Sequence, residues 1–178
     1  SAAEFLEHAS RDELVRAVRD YGEEPRWHRV VTAIEAARGT GRLAQTTTFA
    51  ELVAEAAPPP PGPKGPHPAT RTFQGVRIAV NDELGELERA LDASVRVLGE
   101  GGRLLVVTFH SLEDRMVKRF MRDQERGGNP DELRHPFKGP MPSRLRRVGK
   151  AIMPDADELA ANPRARSATL RVAEKILS

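Results

Sequence analysis

The sequence predicts an α/β chain in which a helical module precedes the C-terminal half of a doubly wound sheet. Three observations predict it. Apolar residues recur at helical spacing through the first 57 residues. Five prolines in six positions, Pro58-Pro59-Pro60-Pro61-Gly62-Pro63, then impose a stiff, extended break that neither a helix nor a central strand tolerates. Beyond it come a long helical pattern, a Gly-rich turn, a continuous apolar run and a further helix, the order of an α/β unit.

The elements follow in turn. Leu14, Val18 and Tyr21 share one helical face, and Val30, Val31 and Ile34 share another. Gly22 separates the two segments, and Pro25 suits the first turn of the second. Thr48 and Glu51 have the spacing of a capping box, which starts a third helix. From Phe73 to Leu98 the apolar positions step by three or four, with Asn81-Asp82 as the place where this helix kinks or divides. Gly99-Glu100-Gly101-Gly102 ends it. Leu104–Phe109 is an apolar run broken only by Thr108, as expected of a strand buried on both faces in a parallel sheet. Ser111 then reads as the N-cap of a helix whose stripe is Leu112, Met116, Phe120 and Met121. Residues 127–144 are rich in Gly and Pro and read as irregular. Two short strands are expected, around 145–151 and 167–173, with an acidic helical stretch and Asn162-Pro163 between them.

Composition narrows the function classes. The 178 residues include 39% hydrophobic but only 4% aromatic residues, so the core is aliphatic. Cysteine is absent, which excludes disulfides, thiolate metal sites and cysteine nucleophiles and fits a cytosolic protein. No apolar stretch approaches the roughly 18 residues of a membrane span. Ser1-Ala2-Ala3-Glu4 has neither the basic region nor the apolar run of a signal peptide, nor an initiator Met, so the chain reads as beginning inside a longer one. The net charge of +2 hides an asymmetry: residues 115–150 hold 11 Lys and Arg against 4 Asp and Glu. An arginine-rich excess suits phosphate, with Arg144, Arg146 and Arg147 as candidate contacts; a solvated helix face is the plainer reading.

Ligands of open α/β sheets bind beyond the carboxyl ends of the strands, which singles out His110 and Ser111. The same pair also reads as a turn and a cap. The flanking Phe109 and Leu112 are not the glycines of a nucleophile elbow. The five histidines lack ligand spacing, so no metal is expected. Gly99–Gly102 precedes a strand instead of following one, so it is no phosphate loop. Arg71 and Thr72, in the His67–Gln74 helix entrance, and Arg164 and Arg166, in the turn Asn162–Ser167, are further candidate anion contacts.

Several of these segments occur together in one family. Tyr21-Gly22-Glu23-Glu24, His67–Gln74 with Arg77–Asn81, Phe109–Arg115 and Asn162–Ser167 stand in the order found in the MraW-type methyltransferases, which the chain resembles along essentially its whole length. The resemblance implies methyl transfer from S-adenosylmethionine to N4 of a cytidine in small-subunit ribosomal RNA. It implies residues 1–66 as a helical inserted, RNA-recognising domain with its Pro-rich linker, and residues 67–178 as the C-terminal half of a class I (Rossmann-like) methyltransferase sheet. The Gly-rich cofactor loop and the acidic ribose-binding position are missing, so the cofactor is expected to be held by an absent N-terminal half and the fragment alone to be inactive. Gly75 stands where the family usually has Ala, Trp27-His28 lie in a helix that is usually more basic, and the linker is longer than is typical.

An exocyclic amine is a poor nucleophile because its lone pair is delocalised into the ring, so the base has to be extruded, held, and offered an acceptor at N4. The resemblance points to His110 and Ser111 for that task, to Phe5 as a stacking surface, and to the arginines for phosphate. The expected partners are the small ribosomal subunit and its rRNA, with no membrane. The unpaired edge of a half-sheet would also favour self-association, for instance as a homodimer. The alternatives are a non-catalytic RNA-binding or ribosome-assembly module and a purely structural helical domain.

Overall fold

A computed structural model describes residues 1–59, 65–127 and 142–176. The chain divides into two compact units, Ser1–Glu83 and Leu84–Ser178.

The first unit is helical: α1 (Ala2–His8), α2 (Arg11–Val15) continued by a π-helical turn (Arg16–Tyr21), α3 (Trp27–Ala37), α4 (Thr46–Ala56) and α5 (Thr70–Asn81). Ser1 with Glu4 and Ser10 with Glu13 form capping boxes that start α1 and α2. The capping box expected at Thr48 and Glu51 does not form. Helix α4 begins three residues earlier, with Gln45 at the cap, and the Thr48 hydroxyl donates to the Arg42 carbonyl at 2.8 Å. Pro25 likewise precedes α3, which starts at Trp27 behind Arg26. Leu14, Val18, Val30, Val31, Ile34 and Val53 are fully buried and form the centre of an aliphatic core. The stripes read from helical spacing are therefore the buried ones, except that Tyr21 is only half-buried.

Helix α5, which follows the proline-rich connection, packs inside this unit against the π-helical turn. The approach is backbone to backbone. A Cβ on Gly75 would lie 2.0 Å from the Ala17 carbonyl oxygen and 2.7 Å from the Gly22 nitrogen. A Cβ on Gly22 would lie 2.6 Å from the Arg71 carbonyl oxygen. Neither glycine has room for a methyl group. The Gly22 N–H closes the wide turn by donating to the Ala17 carbonyl at 2.9 Å.

Asp82, with φ of 50°, ends α5 and separates it from α6 (Glu83–Val97), so the long apolar pattern divides at the expected place. The second unit continues with β1 (Arg103–Thr108), α7 (Ser111–Arg126), β2 (Leu145–Arg147), α8 (Ala156–Ala161), a 3₁₀ turn (Pro163–Ser167) and β3 (Thr169–Lys175). The sheet order is β1-β3-β2, and β3 runs antiparallel to both neighbours. The chain is therefore α/β, but its small sheet is paired antiparallel where parallel pairing was expected. The reason is topological: the last strand returns between the two strands that α7 connects. Most of the irregular stretch expected at 127–144 lies outside the described residues.

One face of the sheet is covered. Leu104 and Val106 of β1, Leu145 and Ala173 pack with Leu91 and Val95 of α6 and Val117 and Met121 of α7. The other face is open. Residues directly opposite in an antiparallel pair share a face, so Leu105 with Val172, and Val107 with Leu170, stand side by side there. Val148 and Ile152 extend these rows through backbone bonds to Val172 and Leu170. Leu105 and Val107 are 59% and 53% exposed. The expectation of a strand buried on both faces is corrected accordingly: among the described residues, the helices of this unit cover only one. At the far end of the open face, Glu174 sits between Arg103 (3.4 Å) and Arg146 (2.7 Å).

Candidate functional site

The site expected at the carboxyl end of β1 is built by a cap. Thr108, the last residue of β1, is buried, and its hydroxyl donates to the Thr169 carbonyl at 3.3 Å. The chain then turns into α7, and His110, not Ser111, is the N-cap. The Glu113 N–H donates to His110 Nδ1 at 3.4 Å, while the Glu113 carboxylate accepts from the Phe109 and His110 N–H groups at 2.9 and 3.3 Å. Ser111 is the first helical residue and is exposed. Because Nδ1 accepts, the neutral ring carries its proton on Nε2. Nε2 is buried and lies 3.2 Å from a Glu113 oxygen, out of line for a hydrogen bond. The His110 side chain is only 12% exposed.

Helix α7 is also tied to the sheet by charge. Asp114 accepts two bonds from the Arg171 guanidinium of β3, at 2.7 and 2.8 Å, on the covered face. Arg171 holds the Asp114 carboxyl below the usual aspartate range, against the opposing effect of burial and with help from Lys118. Such a pair stabilises the fold fully above the ordinary aspartate value of about 3.9, and its contribution fades as pH falls through the lower folded-state value. The stability deficit of Asp114→Asn should therefore shrink between about pH 7 and about pH 3 in urea unfolding. An equal deficit at both would contradict the assignment.

The remaining candidates are spread over both units. Phe5 is half-buried against the helical core. Arg71 is exposed and donates to the Glu23 carbonyl at 3.1 Å. With Thr70 and His67 it lines a groove of about 510 Å³. Thr72 is fully buried and, among the described residues, its hydroxyl has no partner, so it does not meet a ligand at the surface. In the second unit, Arg164 and Arg166 are exposed on the 3₁₀ turn leading into β3. Since β3 is antiparallel to β1, this turn and the His110–Ser111 segment stand at the same end of the sheet. Arg144, Arg146 and Arg147 stand toward the other end. Arg146 is paired with Glu174, and Arg147 with Glu125 at 2.6 Å. Two of these three expected phosphate contacts thus already hold carboxylates.

Sequence reasoning places Glu113 and Asp114 in the first turn as complements of the helix dipole; it missed the capping role of Glu113 and the Asp114–Arg171 pair. The His110-to-Glu113 spacing of three was the available signal for the capping box, obscured because histidine is not among the usual N-cap residues. Among the described residues no group of three or more His, Asp or Glu is arranged to hold a metal ion, and no helix is long and apolar enough to cross a membrane.

The profile of the MraW methylase family matches residues 1–176, and the chain belongs to that family. It is 53% identical over 178 residues to the ribosomal RNA small subunit methyltransferase H of Methylobacterium nodulans, covering 98% of this chain and 52% of the relative. The proteins of the same name from Chromohalobacter salexigens and Methylococcus capsulatus are each 49% identical, over 99% and 98% of this chain and 53% and 57% of their own lengths. The chain thus spans about half the length of the curated relatives it matches, and it corresponds to their C-terminal part.

Proposed function

We propose that this chain is the C-terminal part of an S-adenosylmethionine-dependent methyltransferase that modifies N4 of a cytidine in small-subunit ribosomal RNA, acting in the cytoplasm on the small subunit. The observation that carries the reading is the family match from residue 1 to residue 176. The sheet supports the finer reading of half a class I methyltransferase. Its order places an antiparallel strand between two strands that run parallel to each other, β1 has an unpaired edge among the described residues, and Leu105 and Val107 are exposed. An N-terminal half adding strands at β1 and covering the open face would complete it. The helices before α6 would then be the inserted, RNA-facing portion, with residues 1–66 at its centre.

The residues present do not fit the cofactor's grip. Among the described residues, the glycine cluster leading into β1, Gly99–Gly102, spends amides internally: Gly101 N–H donates to the Lys175 carbonyl and Gly102 N–H to the Gly99 carbonyl. No step through the cofactor follows from this chain. What it supplies is the acceptor side. Ser111, exposed at the start of α7, offers its hydroxyl oxygen to the exocyclic N–H and draws the nitrogen toward a tetrahedral geometry. His110 positions Ser111 through the cap, and Arg164 and Arg166 at the same sheet end take the flanking phosphates.

Calorimetric titration tests the division of labour. The chain alone should show no S-adenosylmethionine binding in the low micromolar range, whereas the chain co-purified with the N-terminal part of the Methylobacterium nodulans relative should bind it. Tight binding to the isolated chain would overturn the division. RNA binding without methyl transfer by the completed protein would favour the non-catalytic assembly module.

A further inference from the structure

We propose that Arg19, Trp27 and His28 form a stacking site for a base of single-stranded RNA on the helical unit. The proposal rests on the ribosomal RNA reading above and gives it a contact surface. Trp27 opens α3 and packs partly against the helical core, which fixes its indole. The turn before it is tied at both ends: Glu24 N–H donates to the Val18 carbonyl at 3.2 Å, and the Glu24 carbonyl accepts from Trp27 N–H at 3.1 Å. The buried Glu24 carboxylate also accepts from Arg26 N–H at 2.9 Å. This turn carries the indole to the π-helical segment, where the Arg19 guanidinium lies over it, 5.5 Å from the ring centroid. His28 meets the same indole edge-on, with centroids 5.8 Å apart and planes at 87°.

Arg19 and His28 are exposed and Trp27 is half-buried, so the cluster presents a π-bearing cation, the His28 ring and part of the indole to solvent from a rigid base. Bases of single strands stack on such aromatic and guanidinium surfaces, with little dependence on sequence. The edge of the Arg19 guanidinium is occupied by Asp20, through bonds of 2.7 and 3.2 Å. That forked geometry is the one a phosphate uses. Asp20 therefore stands as an internal competitor: a base stacks on the Arg19–Trp27 pair while its phosphate displaces the carboxylate.

Trp27 is the only tryptophan of the chain, so its emission reports this site alone. The chain would be titrated at low ionic strength with a short oligocytidylate, following the anisotropy of a labelled oligomer and the emission of Trp27 with an unlabelled one. Quenching should track the anisotropy, and both should weaken with salt. Trp27→Leu should weaken binding about tenfold. Asp20→Asn should tighten it about threefold. An abasic oligomer with the same phosphates should leave the emission unchanged. Anisotropic binding with unchanged Trp27 emission and undiminished affinity of Trp27→Leu would overturn the site while leaving the RNA reading in place. No anisotropy change at all would count against both. If circular dichroism shows that Trp27→Leu has lost helicity, the wild-type emission and Asp20→Asn decide the matter.

Discussion

Gly75→Ala is expected to lower the melting temperature of the helical unit by about 10 °C, corresponding to about 2 kcal/mol. The added Cβ would meet the Ala17 carbonyl oxygen at 2.0 Å and the Gly22 nitrogen and Cα at 2.7 and 2.9 Å. All three obstacles are backbone atoms, so no rotamer change relieves them. Helix α5 has to move away from the π-helical turn, and the bond from Gly22 N–H to the Ala17 carbonyl is disturbed with it. Ordinarily Gly→Ala inside a helix stabilises by roughly 0.5–1 kcal/mol, so even the sign of the change is diagnostic. Thermal unfolding followed by circular dichroism reads it directly. A raised melting temperature would mean that α5 is not held at this distance.

The second expected result concerns the start of α7, in the enzyme completed by an N-terminal part. Ser111→Ala should reduce methylation of small ribosomal subunits at least tenfold, about 1.4 kcal/mol of barrier, with near-native melting. Stability should be spared because Ser111 is not the cap. His110→Ala should cost about 0.5–2 kcal/mol of stability by removing the acceptor for the Glu113 N–H. His110→Asn keeps a capping oxygen and should restore both stability and most of the turnover. Should His110→Asn melt normally and turn over as poorly as Ser111→Ala, the imidazole itself touches the base, and the acceptor role passes to His110.

Which parts of this were legible in the sequence follows from the range of the interactions involved. The Asp82 break, the helical core stripes and the acidic helix α8 depend on neighbours in sequence, and spacing sufficed to place them. The Leu104–Phe109 run could not reveal that Leu105 and Val107 are exposed, because its four successive apolar residues, Leu104 to Val107, carry no alternation to read. Its one covered face is set by α6 and α7, and its pairing by a strand about 65 residues further on. The basic stretch was visible as a charge excess. Its partners were not, since Glu174, Glu125 and Asp114 reach Arg146, Arg147 and Arg171 only through the fold. Thr72 read as an anion contact because it follows Arg71 at a helix entrance, whereas the close seating of α5 turns it inward.

The central claim is that this chain supplies the acceptor side of an rRNA methyltransferase whose cofactor is held elsewhere in the protein. The most direct test is to combine it with the N-terminal part of the Methylobacterium nodulans relative and incubate the pair with small ribosomal subunits and methyl-labelled S-adenosylmethionine. The rRNA would then be digested and its nucleosides separated. The account predicts label in N4-methylcytidine only when both parts are present. Label in another nucleoside, or none although both parts fold together and bind the cofactor, would contradict it.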